Sequence, residues 1–308
     1  MIGGVLPPRG RIVILALLLL VACGPEADPV TTVLDDDAIT VASFNFPESV
    51  LLAELYALAL EDAGFRVERE LDLGTRELVA PSLLRGLVEV VPEYAGSALT
   101  FLGGSSSPDA AATHAALEDA LEPHGIVALE PSPAEDRNGF AVTAITAAEL
   151  GVVSLGDLVP LSPELTFGGP PECPTRPLCL LGLERAYGME FAAFVPLDEG
   201  GPLTVAALRS GQVDVALLFT SAGAVRTNGF VLLEDDRNLQ PAENVTPLVR
   251  WEVLERFGDE VAEVLDAVSA ALTTADLRAM NAAVTDGASP RATAAAWLAD
   301  HGLPGTLG

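Results

Sequence analysis

Ile39-Thr-Val-Ala-Ser43, Pro47-Glu-Ser-Val-Leu-Leu-Ala-Glu-Leu-Tyr-Ala-Leu-Ala-Leu-Glu-Asp-Ala-Gly64, Phe65-Arg-Val-Glu-Arg-Glu-Leu71: within this stretch the hydrophobic period changes twice. The first run is short and β-prone. The second places Leu51, Leu52, Leu55, Leu58 and Ala59 at helical spacing, with Pro47 at its start and Gly64 at its end, the punctuation of a helix. The third alternates as a strand does. The rhythm continues with a helix expected over Thr75–Arg85, a strand over Leu87–Val91 running into Pro92-Glu-Tyr94, a helix over Asp109–Leu121 and a strand over Ile126–Leu129. Strands alternating with helices predict an α/β fold with a largely parallel sheet covered on both faces.

The pattern restarts after Pro131-Ser-Pro-Ala-Glu-Asp136. Strands are expected at Gly139–Thr143, Leu165–Phe167, Val213–Phe219 and Val231–Leu233, with short helices at Leu180–Tyr187 and Leu203–Arg209. After Gln240-Pro241 come a strand over Val245–Val249 and helices over Trp251–Leu272, Thr274–Val284 and Pro290–Asp300. Two lobes follow from this, each with its own sheet. Residues 38–135 and 241–308 form the first; residues 136–240 form the second, inserted into it, with a hinge where the chain crosses near Asp136 and Gln240.

Upstream, Arg9 and Arg11 precede an apolar run from Ile12 to Ala22 that stops at Cys23-Gly24. A basic start, an apolar core and small residues at the cut describe a secretory signal. The apolar core is too short to span about 30 Å of hydrocarbon comfortably. The segment resembles a bacterial lipoprotein signal, which implies that residues 1–22 are removed and Cys23 is lipidated outside the cytoplasm. An ordinary cleaved signal or a membrane anchor is the alternative. Residues 23–37, rich in Pro, Thr and Asp without a period, read as a flexible tether.

The 308 residues carry 44 Asp and Glu against 16 Arg, with no Lys. Phosphate backbones require clustered basic residues, so nucleic acid is excluded as a partner class. An acidic surface chiefly maintains solubility. Besides Cys23 there are Cys173 and Cys179. In an oxidising compartment a short-loop disulfide is the first reading, free thiols the second. A metal is disfavoured, because His114, His124 and His301 all lie far from the cysteines in sequence.

No catalytic constellation is legible. There is no G-x-S-x-G, no phosphate loop and no histidine pair at ligand spacing, and Gly103-Gly104-Ser-Ser-Ser lacks the strand and lysine that phosphate binding needs. No cofactor is expected.

The segments Ser43-Phe-Asn-Phe-Pro-Glu48, Val91-Pro-Glu-Tyr-Ala-Gly-Ser97, Glu135-Asp-Arg-Asn-Gly-Phe140, Gly168–Leu180, Gly211-Gln-Val-Asp-Val-Ala-Leu-Leu-Phe219 and Gln240-Pro-Ala-Glu-Asn-Val245 occur in a characteristic order. From Ile39 to Leu298 the chain resembles the substrate-binding proteins of osmoprotectant ABC importers, which capture glycine betaine, choline, carnitine and related compounds. The resemblance implies a two-lobed, hinge-closing fold of the type II periplasmic-binding-protein class. It also implies a permease partner with a separate cytoplasmic ATPase, and no chemistry on the ligand. By similarity, Tyr94 and Phe219 match positions of an aromatic cage for a quaternary ammonium. Ser97 and Arg176 match contacts to a carboxylate, and Asp136 falls near an acidic residue facing the cation. A cation over an aromatic face gains roughly 0.5 to 2 kcal/mol per ring. This chain departs from the pattern with Phe44 where a basic residue is frequent, Asn138 where an aromatic is common and Glu243 where a cage tyrosine is frequent. Phe44 and Asn45, at the end of the first expected strand where open α/β sheets bind ligands, and Asn138 and Glu243 are further candidates, and the cage is expected to be incomplete. The alternatives are a receptor or sensor for another small polar solute and a secreted enzyme using Cys173 or Cys179 as nucleophile.

Overall fold

The computed structural model describes residues 37–303, with Met1 and Gly3 besides. The expected signal, Cys23 and nearly all of the expected tether lie outside the described residues, as do residues 304–308. The chain begins with β1 (Ile39–Ala42), α1 (Pro47–Asp62), β2 (Val67–Glu70), α2 (Arg76–Leu84), β3 (Val90–Tyr94), α3 (Ala95–Phe101), α4 (Ala110–Leu121) and β4 (Ile126–Ala128). It continues through β5 (Asn138–Thr143), α5 (Ala144–Leu150), α6 (Leu155–Leu158), β6 (Thr166–Gly169), α7 (Leu180–Tyr187), β7 (Ala193–Pro196), α8 (Pro202–Ser210), β8 (Val215–Phe219), α9 (Gly223–Asn228) and β9 (Phe230–Leu232). It closes with β10 (Val245–Arg250), α10 (Trp251–Phe257), α11 (Glu260–Ala271), α12 (Thr274–Thr285) and α13 (Pro290–Asp300).

Two five-stranded sheets result, in the orders β2-β1-β3-β10-β4 and β7-β6-β8-β5-β9. Both are largely parallel, and each contains one reversed strand. β10 runs antiparallel to β3 and β4, and β5 runs antiparallel to β8 and β9. Period-2 alternation sends Ile39 and Val41 into one core and Ala42 into another on the opposite face. The first core holds α1, α11 and α13; the second holds α2, α3 and α4. α1 is buried on nearly every side, from Leu51 through Leu60, which explains why its apolar residues are not confined to one stripe. The second sheet is likewise covered on both faces, by α5, α6 and α7 on one and α8 and α9 on the other.

The chain crosses between the sheets twice, and the two crossing segments pair antiparallel. Ser132 donates its N–H to the Val245 carbonyl at 2.8 Å, Val245 to that of Ala134 at 2.9 Å, and Asp136 to that of Glu243 at 3.1 Å. The Leu178 carbonyl joins both crossings to the second sheet's body. It accepts from Asn138 Nδ2 at 3.2 Å and from Gln240 Nε2 at 2.9 Å. Leu178 lies in the loop closed by a Cys173–Cys179 disulfide whose Cα atoms are 5.2 Å apart. A further link is α12, which packs on α9 as well as on α1 and α13.

Two readings of the sequence are corrected. The helix expected over Trp251–Leu272 is two helices, because Gly258 takes a φ of 85° that favours glycine and turns the chain between α10 and α11. The strand expected over Leu87–Val91 lies further on, at Val90–Tyr94, where β10 supplies partners as far as Tyr94.

Gly223 opens α9 at its closest approach to α12. A Cβ there would stand 2.4 Å from the Ala282 backbone nitrogen and 2.6 Å from its Cα. Gly223→Ala is therefore expected to lower stability by about 1 to 3 kcal/mol, as overpacking does. Urea unfolding monitored by circular dichroism measures this. An unchanged midpoint would mean that α9 and α12 separate at no cost.

Candidate functional site

A cleft of about 830 Å³ opens between the two sheets. One wall carries Phe46, Glu48, Arg76, Tyr94 and Ser97; the other carries Asp136, Glu199, Arg209, Phe219 and Ser221; Asn281 comes from α12 and Asp286 from the residue just after it. Tyr94 and Phe219 are the last residues of β3 and β8, and Phe46 and Glu48 follow the end of β1. The crevice thus lies beyond carboxyl ends of strands, where open α/β sheets bind ligands.

The aromatic part is built as a stack. Phe44, only 2 % exposed, lies parallel to Phe46 with centroids 5.8 Å apart. Phe46 in turn lies 6.3 Å from Tyr94 at an interplanar angle of 27°. Phe46 is 38 % exposed and lines the cleft. Arg76 covers Phe44, its guanidinium 5.2 Å from the ring centroid, and is held by Glu93 through two bonds of 2.8 and 3.0 Å. Burial opposes the charge on Arg76, but the Glu93 carboxylate outweighs it and keeps the guanidinium firmly protonated.

The polar part centres on Glu48, which is 7 % exposed. It accepts from the Tyr94 hydroxyl at 2.5 Å and from Asn281 Nδ2. Asn281 also donates to the Ser221 carbonyl at 3.0 Å, and the Ser221 N–H donates to Asp136 at 3.2 Å. The chain of bonds from Tyr94 to Asp136 therefore runs from the first sheet to the crossing segment. Burial, the charge of Glu48 and the hydrogen bond to it hold the Tyr94 hydroxyl well above its ordinary pKa. Burial, then the charge of Glu48, pushes Asp136 up to about 8, despite the stabilising bonds from Ser221. Burial also raises Glu243 to about 7, against the bonds it receives from Ser97. No arginine lies within ion-pair distance of Glu48 or Asp136 among the described residues.

Of the residues singled out from sequence, Tyr94, Ser97, Asp136 and Phe219 line the cleft together. Phe44 lies beneath Phe46, and Glu243 lies behind Ser97, bonded to it. Arg176 is exposed outside the cleft lining, where Glu172 and Glu199 each accept from it at 2.7 Å; Glu199 itself stands on the cleft. Asn138 is turned to the Leu178 carbonyl, and Asn45 is exposed off the lining. Phe46, Glu48, Arg76 and Asn281 were not singled out. Phe46 and Glu48 sit inside the quoted Ser43–Glu48 segment, one and three positions after the candidate Asn45. Arg76 and Asn281 carry no local signal. Because Cys173 and Cys179 share a disulfide, neither provides a thiolate.

A family model described as the substrate binding domain of ABC-type glycine betaine transport systems matches residues 37–300. The chain belongs to this family. The glycine-betaine-binding protein of Pseudomonas aeruginosa is 28% identical over 278 residues, covering 87% of this chain and 89% of that protein. The glycine betaine-binding protein YehZ of Escherichia coli is 26% identical over 280 residues, covering 86% and 90%. Among solved structures, one described as a glycine betaine/carnitine/choline ABC transporter superposes with a TM-score of 0.81 at 20% identity, covering 86% of this chain and 98% of that one. Apo YehZ superposes at 0.76 with 25% identity, covering 86% and 99%. The two-lobed periplasmic binding fold expected from the sequence is therefore the fold of this family member, and the family serves transport rather than catalysis.

The raised pKa of Asp136 has a consequence for stability. The folded protein keeps this proton to about pH 8, while its unfolded chain loses it near 3.8. Between these values the folded state binds more protons, so its stability falls as pH rises through the window. Asp136→Asn should flatten that fall. Urea unfolding of both proteins at several pH values checks it; identical slopes would place the Asp136 titration elsewhere.

Proposed function

We propose that the chain is the extracytoplasmic, lipid-anchored solute receptor of an ABC importer, and that it captures a small quaternary-ammonium or zwitterionic compatible solute in the cleft and delivers it to a permease. One observation carries the ligand class: the rings of Phe46, Tyr94 and Phe219 and the carboxyl groups of Glu48 and Asp136 line one cleft, and among the described residues no guanidinium pairs with either acid. A quaternary ammonium has no N–H to donate, so it is held by aromatic faces and by charge. Its positive charge also offsets that of Glu48, whose burial is otherwise costly. The relatives named above, described as glycine-betaine-binding, support the same class. On this reading Tyr94, Phe46 and Phe219 form the cage, Glu48 and Asp136 face the cation, and Ser97 lies toward the solute's other end.

A thermal-shift panel of betaines, choline, carnitine, ectoine, polyols and amino acids on protein lacking residues 1–22 tests the class. A ligand at about 100 times its dissociation constant should stabilise the fold by roughly 2.7 kcal/mol. Tyr94→Ala and Phe46→Ala should each weaken binding of a stabilising ammonium by about 0.5 to 2 kcal/mol. Arg176→Ala, whose partners are Glu172 and Glu199, should leave that affinity nearly unchanged. Stabilisation only by polyols or amino acids would overturn the reading.

Anchoring is tested separately. Cys23 at the end of the basic and apolar segment is the proposed lipidation site. Mass analysis should find a diacylglyceryl cysteine at the mature N-terminus, and Cys23→Ser should abolish membrane retention. A mature chain beginning elsewhere would sink this part and leave the cleft untouched.

A further inference from the structure

Ser97 lines the cleft, yet both of its donors are taken by a single carboxylate. Its N–H donates to one oxygen of Glu243 at 2.9 Å, and its hydroxyl donates to the other at 3.0 Å. These are the two donors that a carboxylate-bearing solute would seek at this end of the cleft. Packing fixes Glu243 as well. A Cβ on Gly96 would meet the Ala242 carbonyl at 2.5 Å and the Glu243 carboxyl at 3.1 Å, and the Glu243 main chain is bonded into the crossing segment through Asp136. The guanidinium on this wall, Arg76, already gives two hydrogen bonds to Glu93. Arg209 stands on the opposite wall, exposed on α8.

Resting on the solute-binding reading above, we propose that Glu243 is a specificity-determining residue: it occupies the anion position beside Ser97, so the cleft selects organic cations with a neutral polar end over cations that carry a carboxylate. A solute carboxylate reaching Ser97 finds both donors already taken by a fixed carboxylate just behind the lining, and has to displace it or see it neutralised. A solute hydroxyl does neither, and donates to the Ser97 hydroxyl oxygen, which lines the cleft and still has lone pairs to accept. The discrimination is thus built by repulsion as much as by attraction.

The test is calorimetric titration of wild type, Glu243→Ala and Glu243→Gln with choline and with glycine betaine. The pH is held at about 8, so that Glu243, raised to about 7, is ionised. Wild type should bind choline at least about tenfold more tightly than betaine. In both variants that ratio should shrink by about tenfold or more, through tighter betaine binding once the Ser97 donors and the local charge are released. The Gln variant keeps the side chain's shape, and it decides the matter if the Ala variant fails to unfold cooperatively. A wild-type preference for betaine, with its carboxylate met by Arg209 or elsewhere, would overturn the proposal. So would binding of both solutes with a ratio that neither variant moves; in either case the solute-binding reading survives. Binding of neither solute by any of the three proteins would overturn that reading, and this proposal with it.

Discussion

A buried carboxylate with no cationic partner among the described residues holds the cleft together. Glu48 is buried at the first turn of α1, and its oxygens accept from the Tyr94 hydroxyl and the Asn281 amide. Buried charge is expensive unless hydrogen bonds or a counter-charge satisfy it. The structure meets part of that cost with two donors drawn from widely separated parts of the chain. Asn281 passes the connection to the Ser221 carbonyl, and Ser221 passes it to Asp136. Burial, and then the charge of Glu48 beside it, raises the cost of ionising Asp136, which is why Asp136 keeps its proton far above the ordinary carboxylate range. A cation entering beside them offsets the Glu48 charge and favours release of the Asp136 proton.

The second constraint is mechanical. The crossing segments are bonded to each other by backbone hydrogen bonds, and both are tied to the Leu178 carbonyl inside the disulfide-closed loop. Site residues lie at or beside this pair: Asp136 on one segment, Glu243 on the other. Their positions relative to Ser97 and Ser221 are therefore set by the hinge as well as by either sheet. α12 adds a contact to α9 that depends on a missing Cβ at Gly223. Motion of one sheet against the other must work through these links.

Most of the fold was legible because its elements are short and strongly periodic. α1, α4, α7 and α13 fall where spacing and end signals place them. What escaped were elements without such signals. α3 follows β3 with no break and no side-chain cap, and β7 is an edge strand whose residues are exposed or half-buried. The split at Gly258 escaped because apolar spacing continues on both sides of it. The site was legible where residues end strands, as Tyr94 and Phe219 do. Arg176 sits in a segment whose order matched well, but on an acidic surface two neighbouring glutamates claim its guanidinium. Asn281 could not be read at all: its bond to Glu48 spans 233 positions, and nothing around it in sequence hints at that partner.

The order of strands in the first sheet also governs when the protein can be finished. β4 has β10 as its hydrogen-bonded neighbour, and β10 occupies the place between β3 and β4. All of the second sheet's strands are made after β4 and before β10. A chain appearing from its N-terminus therefore presents β3 with one side unpaired, and β4 with no partner, until Val245–Arg250 has emerged. Pairings of such high sequence separation carry a large loop-closure cost and form late. The second sheet shortens that closure once it has formed, since the segments leading into and out of it pair side by side. Completion of the first sheet thus waits on the second, and the half-made sheet is the species with an open edge for other chains to find.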